Sequence, residues 1–180
     1  VPTALKIDRP LVLIGLMGAG KSTVGRRLAS HLNLPFVDSD EEIEIAADCS
    51  IPDIFEIYGE SKFRDLEKRV IDRLMDKDPM VLATGGGAFI NEHTRTRVLH
   101  CGTVIWLQAD LDVLIERTSR RGGRPLLEVT DRRETLKKLI DERYPIYGNA
   151  HIIIKTNGDT MDSTVDKILT ALSNNSESPT

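Results

Sequence analysis

The chain has 180 residues, 40% hydrophobic and 29% charged, enough apolar content for one well-filled core and too much for a disordered segment. Its 24 Lys and Arg against 28 Asp and Glu give a formal charge of −4, without the basic excess of a non-specific nucleic-acid binder. Four Phe, three Tyr and one Trp, not interleaved with a basic run, do not make a base-stacking groove, and no apolar run approaches a membrane span. Cys49 and Cys101 read as free thiols of a reducing compartment. With no apolar signal core before the first strand, the cytoplasm is the expected location.

Residues 11–16 are apolar on both faces, which predicts a central parallel strand covered by helices on each side. Val24, Leu28 and Leu32 repeat at four residues and predict a helix over 21–32. A short second strand is predicted at 34–37. An acidic helix follows over 40–47, with Asp40, Glu41, Glu42 and Glu44 crowding the end where negative charge is favoured. Residues 51–58 read as a further helical turn or two, broken by Gly59. Phe63, Leu66, Val70, Ile71 and Leu74 then continue as a long amphipathic helix to about Lys77.

The third strand, 80–83, runs into Gly85-Gly86-Gly87. Asn91 can cap a helix to His100, the fourth strand is 104–107, and Asp110 can cap a helix over 111–118. Residues 119–131 lose the apolar rhythm and gain charge, as in Arg120-Arg121-Gly122-Gly123-Arg124. A helix through Leu136, Leu139, Ile140 and Arg143 should end near Pro145. The fifth strand is 151–154, Val165 to Leu172 line a last helix, and 173–180 read as a frayed polar tail. Strands alternating with helices of this length predict a parallel α/β sheet wound on both faces. Two stretches break the alternation, 40–63 and 119–131. Both follow the carboxyl end of a strand, where open α/β sheets bind ligands.

Gly15-Leu16-Met17-Gly18-Ala19-Gly20-Lys21-Ser22 matches the phosphate-binding loop pattern G-x-x-x-x-G-K-[ST], between a strand and a helix as that motif demands. Its glycines let backbone N–H groups converge on phosphate oxygens, and the helix that follows adds its positive end. Lys21 should reach the β- and γ-phosphates and Ser22 should ligate Mg²⁺. The third strand carries no carboxylate at its end. The second does, as Asp38-Ser39-Asp40; residues two apart on an extended chain face the same way. One acid can serve the metal and the other a substrate hydroxyl, while helix capping is the competing reading for Asp40.

Arg64 and Glu67 lie three apart on one helical face, where a surface ion pair is the ordinary reading. Isolated Arg143 and the arginines of 119–131 change the balance. Guanidinium forks placed apart from Lys21 suit an anionic, carboxylate-bearing acceptor.

These motifs, with Ile54-Phe55 ahead of Gly59-Glu60, Phe63-Arg64, Arg124-Pro125-Leu126-Leu127 and Glu142-Arg143 before Pro145 and Tyr147, resemble the shikimate kinase family from Leu11 to about Leu172. The resemblance implies a three-layer α/β/α P-loop fold with a five-stranded parallel sheet, a helical substrate-binding segment and a lid. As one domain over 1–180, its core would be 11–37, 68–118 and 132–172, its substrate segment 38–67, its lid 119–131 and its tail 173–180. The implied activity is transfer of the γ-phosphoryl of ATP to the 3-hydroxyl of shikimate, with Mg²⁺, in the route to chorismate and the aromatic amino acids.

The resemblance also implies roles. Gly18, Ala19, Gly20, Lys21, Ser22 and Thr23 would cradle ATP, and Asp38 would hold the metal through water. Asp40 would bind shikimate hydroxyls and orient or deprotonate the attacking one. Arg64 and Arg143 would grip the carboxylate, with Glu67 buttressing Arg64 and Gly85, Gly86 and Gly87 lining the acceptor. Arg124 would close over the phosphates, and Arg117 or Arg120 would stack on adenine. Lys21, Asp40 and Arg124 are then the expected catalytic residues. The expected partners are shikimate and ATP, with no nucleic acid and no membrane, acting on a monomer. A gluconate kinase is the nearest rival within the class, and a nucleotide-binding regulator without turnover is the rival outside it. Arg64, Arg143 and the Asp38-Ser39-Asp40 run favour the cyclic carboxylate over the first. Intact Lys21, Ser22, Asp40 and Arg124 argue against the second.

Overall fold

A computed structural model describes residues 5–120 and 129–176. Five parallel strands among these residues, Leu11–Ile14 (β1), Phe36–Asp38 (β2), Val81–Ala83 (β3), Thr103–Gln108 (β4) and Ile152–Lys155 (β5), form one sheet in the order β2-β3-β1-β4-β5. The helices are Lys21–Leu32 (α1), Ser39–Ala47 (α2), Ile51–Met75 (α3), Glu92–Cys101 (α4), Leu111–Arg120 (α5), Val129–Tyr147 (α6) and Met161–Ser176 (α7). A 3₁₀ turn, Ala88–Ile90, follows the glycine triplet. Every residue of β1 and β3 is buried, as the two-sided apolar runs require. β5 is an edge strand that alternates buried and exposed residues.

Chain order and strand order differ in the way that makes a site. β1 leads through α1 outward to β2, and the chain then returns to place β3 between them. The ends of β1, β2 and β3 therefore open onto one crevice beside the turn into α1.

Several boundaries differ from expectation. β1 stops at Ile14 rather than 16, because Gly15 leaves the ladder for the loop; a Cβ there would lie 2.8 Å from the Leu107 carbonyl oxygen. β2 starts two residues later and ends one later than the expected 34–37, since Leu34 is still tied to the end of α1 through its N–H to the Ala29 carbonyl at 2.9 Å. α6 runs past Pro145 to Tyr147, whose burial holds the last turn. Pro145 itself is exposed, and Gly148 N–H still reaches the Tyr144 carbonyl at 3.0 Å. α7 continues to Ser176, so the first part of the expected tail is helical.

α5 and α6 take residues from both ends of the expected lid, 119–131. Residues 121–128, with Arg121 and Arg124, lie outside the described residues. The break at Gly59 is present: with φ 83 and ψ 169 it interrupts α3 in a conformation that favours glycine.

Candidate active site

The loop after β1 ends at Gly20, which starts α1 from φ 94 and offers no side-chain cap. Neither does the first turn of α1 contain an acid. Three other helices are treated differently: Asp38 caps α2, Ser50 caps α3 and Asn91 caps α4, each accepting from a backbone N–H. The uncapped donors of α1 thus suit an external anion, to which the helix dipole adds attraction. Lys21 Nζ donates to the loop's own carbonyls, Gly15 at 2.6 Å and Leu16 at 3.0 Å, and so lies folded over the cradle.

Next to Lys21, Ser22 Oγ donates to Asp38 Oδ2 at 3.3 Å. Asp38 Oδ1 accepts from Asp40 N–H at 2.8 Å. The expected geometry of an extended pair is therefore corrected. Asp38 ends β2 as the cap, and Asp40 sits in the first turn of α2. Both still line the cleft, because the strand-to-helix turn brings them to the same wall. Between them, fully buried Ser39 accepts from Gly85 N–H at 3.3 Å and ties that turn to the glycine triplet.

The far wall comes from α3, the triplet and α6. Arg64 Nη1 donates to Glu67 Oε1 at 2.8 Å, and Glu67 is only 2% exposed. This is no surface pair. Arg143 enters from α6, and the whole cleft has a volume of about 350 Å³. Lys21 and Ser22, Asp38 and Asp40, and Arg64 and Arg143 all line it.

Burial raises the pKa of Asp40, and the neighbouring charge of Asp38 raises it further, against the lowering pull of Lys21 and Arg64. Burial likewise raises that of Glu67, opposed by its hydrogen bond and charge contact with Arg64.

A family model described as "Shikimate kinase" matches residues 17–173. The shikimate kinase of Brucella canis is 50% identical over 165 residues, 92% of this chain and 82% of that protein. That of Rhodopseudomonas palustris is 54% identical over 165 residues, 92% of this chain and 81% of its own. A solved structure of the Acinetobacter baumannii shikimate kinase in complex with shikimate superposes with TM-score 0.88 at 39% identity, covering 97% of this chain and 98% of that one. The chain belongs to the shikimate kinase family.

Within this shikimate kinase fold, Gly18, Gly20, Lys21, Ser22, Asp38 and Asp40 line one cleft together with Arg64, Gly85, Gly86, Gly87 and Arg143. Ala19 is buried behind the loop, and Thr23 lies within the first turn of α1, away from the cleft wall. Arg117 reaches the loop from outside, its Nη1 donating to the Gly18 and Ala19 carbonyls at 3.3 and 3.1 Å. Arg120 ends α5, and Arg124 lies outside the described residues.

The sequence by itself assigns no role to Ser39, Thr84 or Tyr147. Ser39 ties the turn after β2 to the glycine triplet. Thr84, also on the cleft wall, donates from Oγ1 to the Leu13 carbonyl at 2.8 Å and stitches β3 to β1. Tyr147 donates to the Gly86 carbonyl. Their only sequence signal is adjacency to recognised motifs, because each acts through a residue distant in the chain. No helix among the described residues is long and apolar enough to cross a membrane.

Proposed function

We propose that this chain transfers the γ-phosphoryl group of ATP to the 3-hydroxyl of shikimate. The observation that carries the reading is that one cleft is lined by the phosphate cradle with Lys21, by two arginines and by the Asp40 carboxylate. The family supplies ATP and shikimate as the two substrates. In this reading Arg64 and Arg143 bind the shikimate carboxylate, which sets the ring so that one hydroxyl faces Asp40 and the phosphate. Asp40 accepts that hydroxyl's hydrogen bond and takes its proton as the oxygen attacks phosphorus. Lys21 and the N–H groups at the start of α1 stabilise charge on the phosphate oxygens.

Ser22 and Asp38 fit Mg²⁺ in their chemistry. A hydroxyl and a carboxylate are hard oxygen donors, and no group of three or more His, Cys, Asp or Glu competes as a metal cage among the described residues. So sparse a set suits an ion that keeps several waters and takes phosphate oxygens as ligands. Ser22 would hold it directly and Asp38 through water; when bound, Mg²⁺ supplies positive charge at the phosphates.

Arg117, on the outer side of the loop, is the described candidate for the adenine side, with Arg120 as the alternative. Arg124 as the phosphate-closing residue of a lid over 119–131 rests on the family resemblance and on that segment's run of Arg and Gly. The reading includes a cytoplasmic monomer, in keeping with the free thiols of Cys49 and Cys101. The test is a coupled ADP-release assay across shikimate, quinate, gluconate and nucleoside monophosphates. Shikimate-dependent release is expected; release with gluconate or a nucleotide and none with shikimate would overturn the reading.

A further inference from the structure

Four residues beyond Arg143, and so on the same face of α6, Tyr147 is completely buried. Its ring packs among Trp106, Tyr144 and Phe89, with centroids 5.6, 6.1 and 6.3 Å away. From that apolar nest the hydroxyl emerges to donate to the Gly86 carbonyl. Arg143 also lies against Gly86: a Cβ at that position would lie 2.9 Å from Arg143 Nη1. The Arg143 guanidinium also hydrogen-bonds the Tyr147 hydroxyl, so that hydroxyl links it to the Gly86 peptide on the wall of the cleft.

We propose that Tyr147 is a positioning residue for the acceptor: its hydroxyl, anchored on the Gly86 carbonyl, holds the Arg143 guanidinium toward the acceptor's carboxylate. This rests on the role given above to Arg143. The physical reason is the loss of a fixed partner. A guanidinium that loses one hydrogen-bond acceptor in a partly buried site seeks another, and the Gly86 carbonyl, left unpaired by the same deletion, offers one. Without the Tyr147 hydroxyl, Arg143 would turn toward the protein's own backbone and away from the cleft. Burial raises the pKa of Tyr147 against the lowering influence of Arg143 and Arg64, so the hydroxyl remains a donor throughout the neutral range.

The same aromatic nest provides a matched control. Tyr144 packs edge-on to Trp106 at 4.8 Å, and its hydroxyl donates to the Ala109 carbonyl at 2.6 Å, away from the triplet. Tyr147→Phe and Tyr144→Phe each delete one hydroxyl from one helix and keep the ring.

The experiment measures kcat and the two Michaelis constants for both variants and for Arg143→Lys, with melting temperatures alongside. Tyr147→Phe should raise the KM for shikimate about tenfold, the scale of one lost hydrogen bond, and leave that for ATP unchanged. Tyr144→Phe should lower the melting temperature comparably and leave both constants at the wild-type value. Michaelis constants are the chosen readout because partial unfolding reduces the concentration of active enzyme without altering them. A wild-type shikimate KM in Tyr147→Phe, or an equal rise in Tyr144→Phe, overturns the proposal. A wild-type shikimate KM in Arg143→Lys removes the assignment of Arg143 itself, and the proposal with it.

Discussion

Gly87 and Arg64 occupy the same space between them: a Cβ on Gly87 would sit 2.6 Å from Arg64 Nη2 and 2.8 Å from its Cζ. The relationship repeats along the triplet. A Cβ on Gly86 would meet Arg143 Nη1 at 2.9 Å, and one on Gly85 would meet Asp40 Oδ1 at 2.9 Å. Each glycine therefore leaves room for one acceptor-side group. Left-handed backbone is not the reason here, since Gly87 has φ −96. The triplet makes room for the protein's own side chains.

Gly87→Ala should consequently damage substrate binding more than folding. The clash is with the end of a flexible side chain, so Arg64 can swing aside, but it then leaves both Glu67 and the acceptor. The expected result is a shikimate KM raised at least about tenfold with a nearly unchanged melting temperature. Gly25→Ala is the converse case. Its Cβ would lie 2.6 Å from Phe36 Cε2 and 3.2 Å from Leu13 Cδ1 in the core, so overpacking should cost about 1–3 kcal/mol of stability and leave KM alone. Thermal melts and steady-state kinetics on both variants decide the matter.

Lys21→Ala should reduce kcat by orders of magnitude while circular dichroism and melting remain close to wild type. The lysine bonds to carbonyls of its own loop rather than filling the core, and phosphoryl transfer depends on charge stabilisation at the phosphate oxygens. Full turnover in that variant would remove it from the mechanism.

Arg64→Ala and Arg143→Ala should each lose about 2–5 kcal/mol of shikimate binding, if the fork meets a desolvated carboxylate, with ATP affinity measured alone unchanged. They should differ in stability. Removing Arg64 leaves the buried Glu67 carboxylate without its 2.8 Å partner, so this variant should melt lower than Arg143→Ala. Titration calorimetry with each ligand separately, plus melting curves, checks both halves. A loss of ATP affinity without loss of shikimate affinity would put the arginines at the wrong end of the cleft.

Asp40 links activity and stability through pH. Its pKa is raised in the folded protein, chiefly by burial and then by Asp38. The folded state therefore holds the proton more tightly than the unfolded chain. The favourable contribution of that proton is complete below the ordinary aspartate range and is lost as pH rises through the raised value. At neutral pH the ionised carboxylate is a cost to folding, so Asp40→Asn should melt no lower than wild type, and higher as pH rises. The same variant should lose turnover, and the acid limb of wild-type kcat/KM should lie above the ordinary aspartate range. An Asp40→Asn protein that melts well below wild type at neutral pH contradicts the first half; one that retains turnover contradicts the second.

Much of this protein could be read from its sequence because much of it is local. The phosphate loop is one contiguous stretch whose glycines, lysine and serine specify their own backbone and neighbours. Asn91 and the alternation of strands and helices were legible for the same reason, each depending on residues within a turn or two. Asp38 and Asp40 reach the cleft through the turn into α2 that Asp38 caps, and not as an extended pair.

Element ends were less legible, since tertiary contacts decide them: buried Tyr147 carries α6 past Pro145. What the tertiary structure alone decided is the acceptor end of the cleft. Arg64, Gly87 and Arg143 come from three elements brought together by the crossing of α3, β3 and α6, and no spacing in the chain records which glycine faces which side chain. Ser39 on Gly85 and Tyr147 on Gly86 are invisible for the same reason. Sequence pattern reports the conformation of a segment and the face it buries, whereas a hydrogen bond between distant segments exists only once the parallel sheet has set their separation.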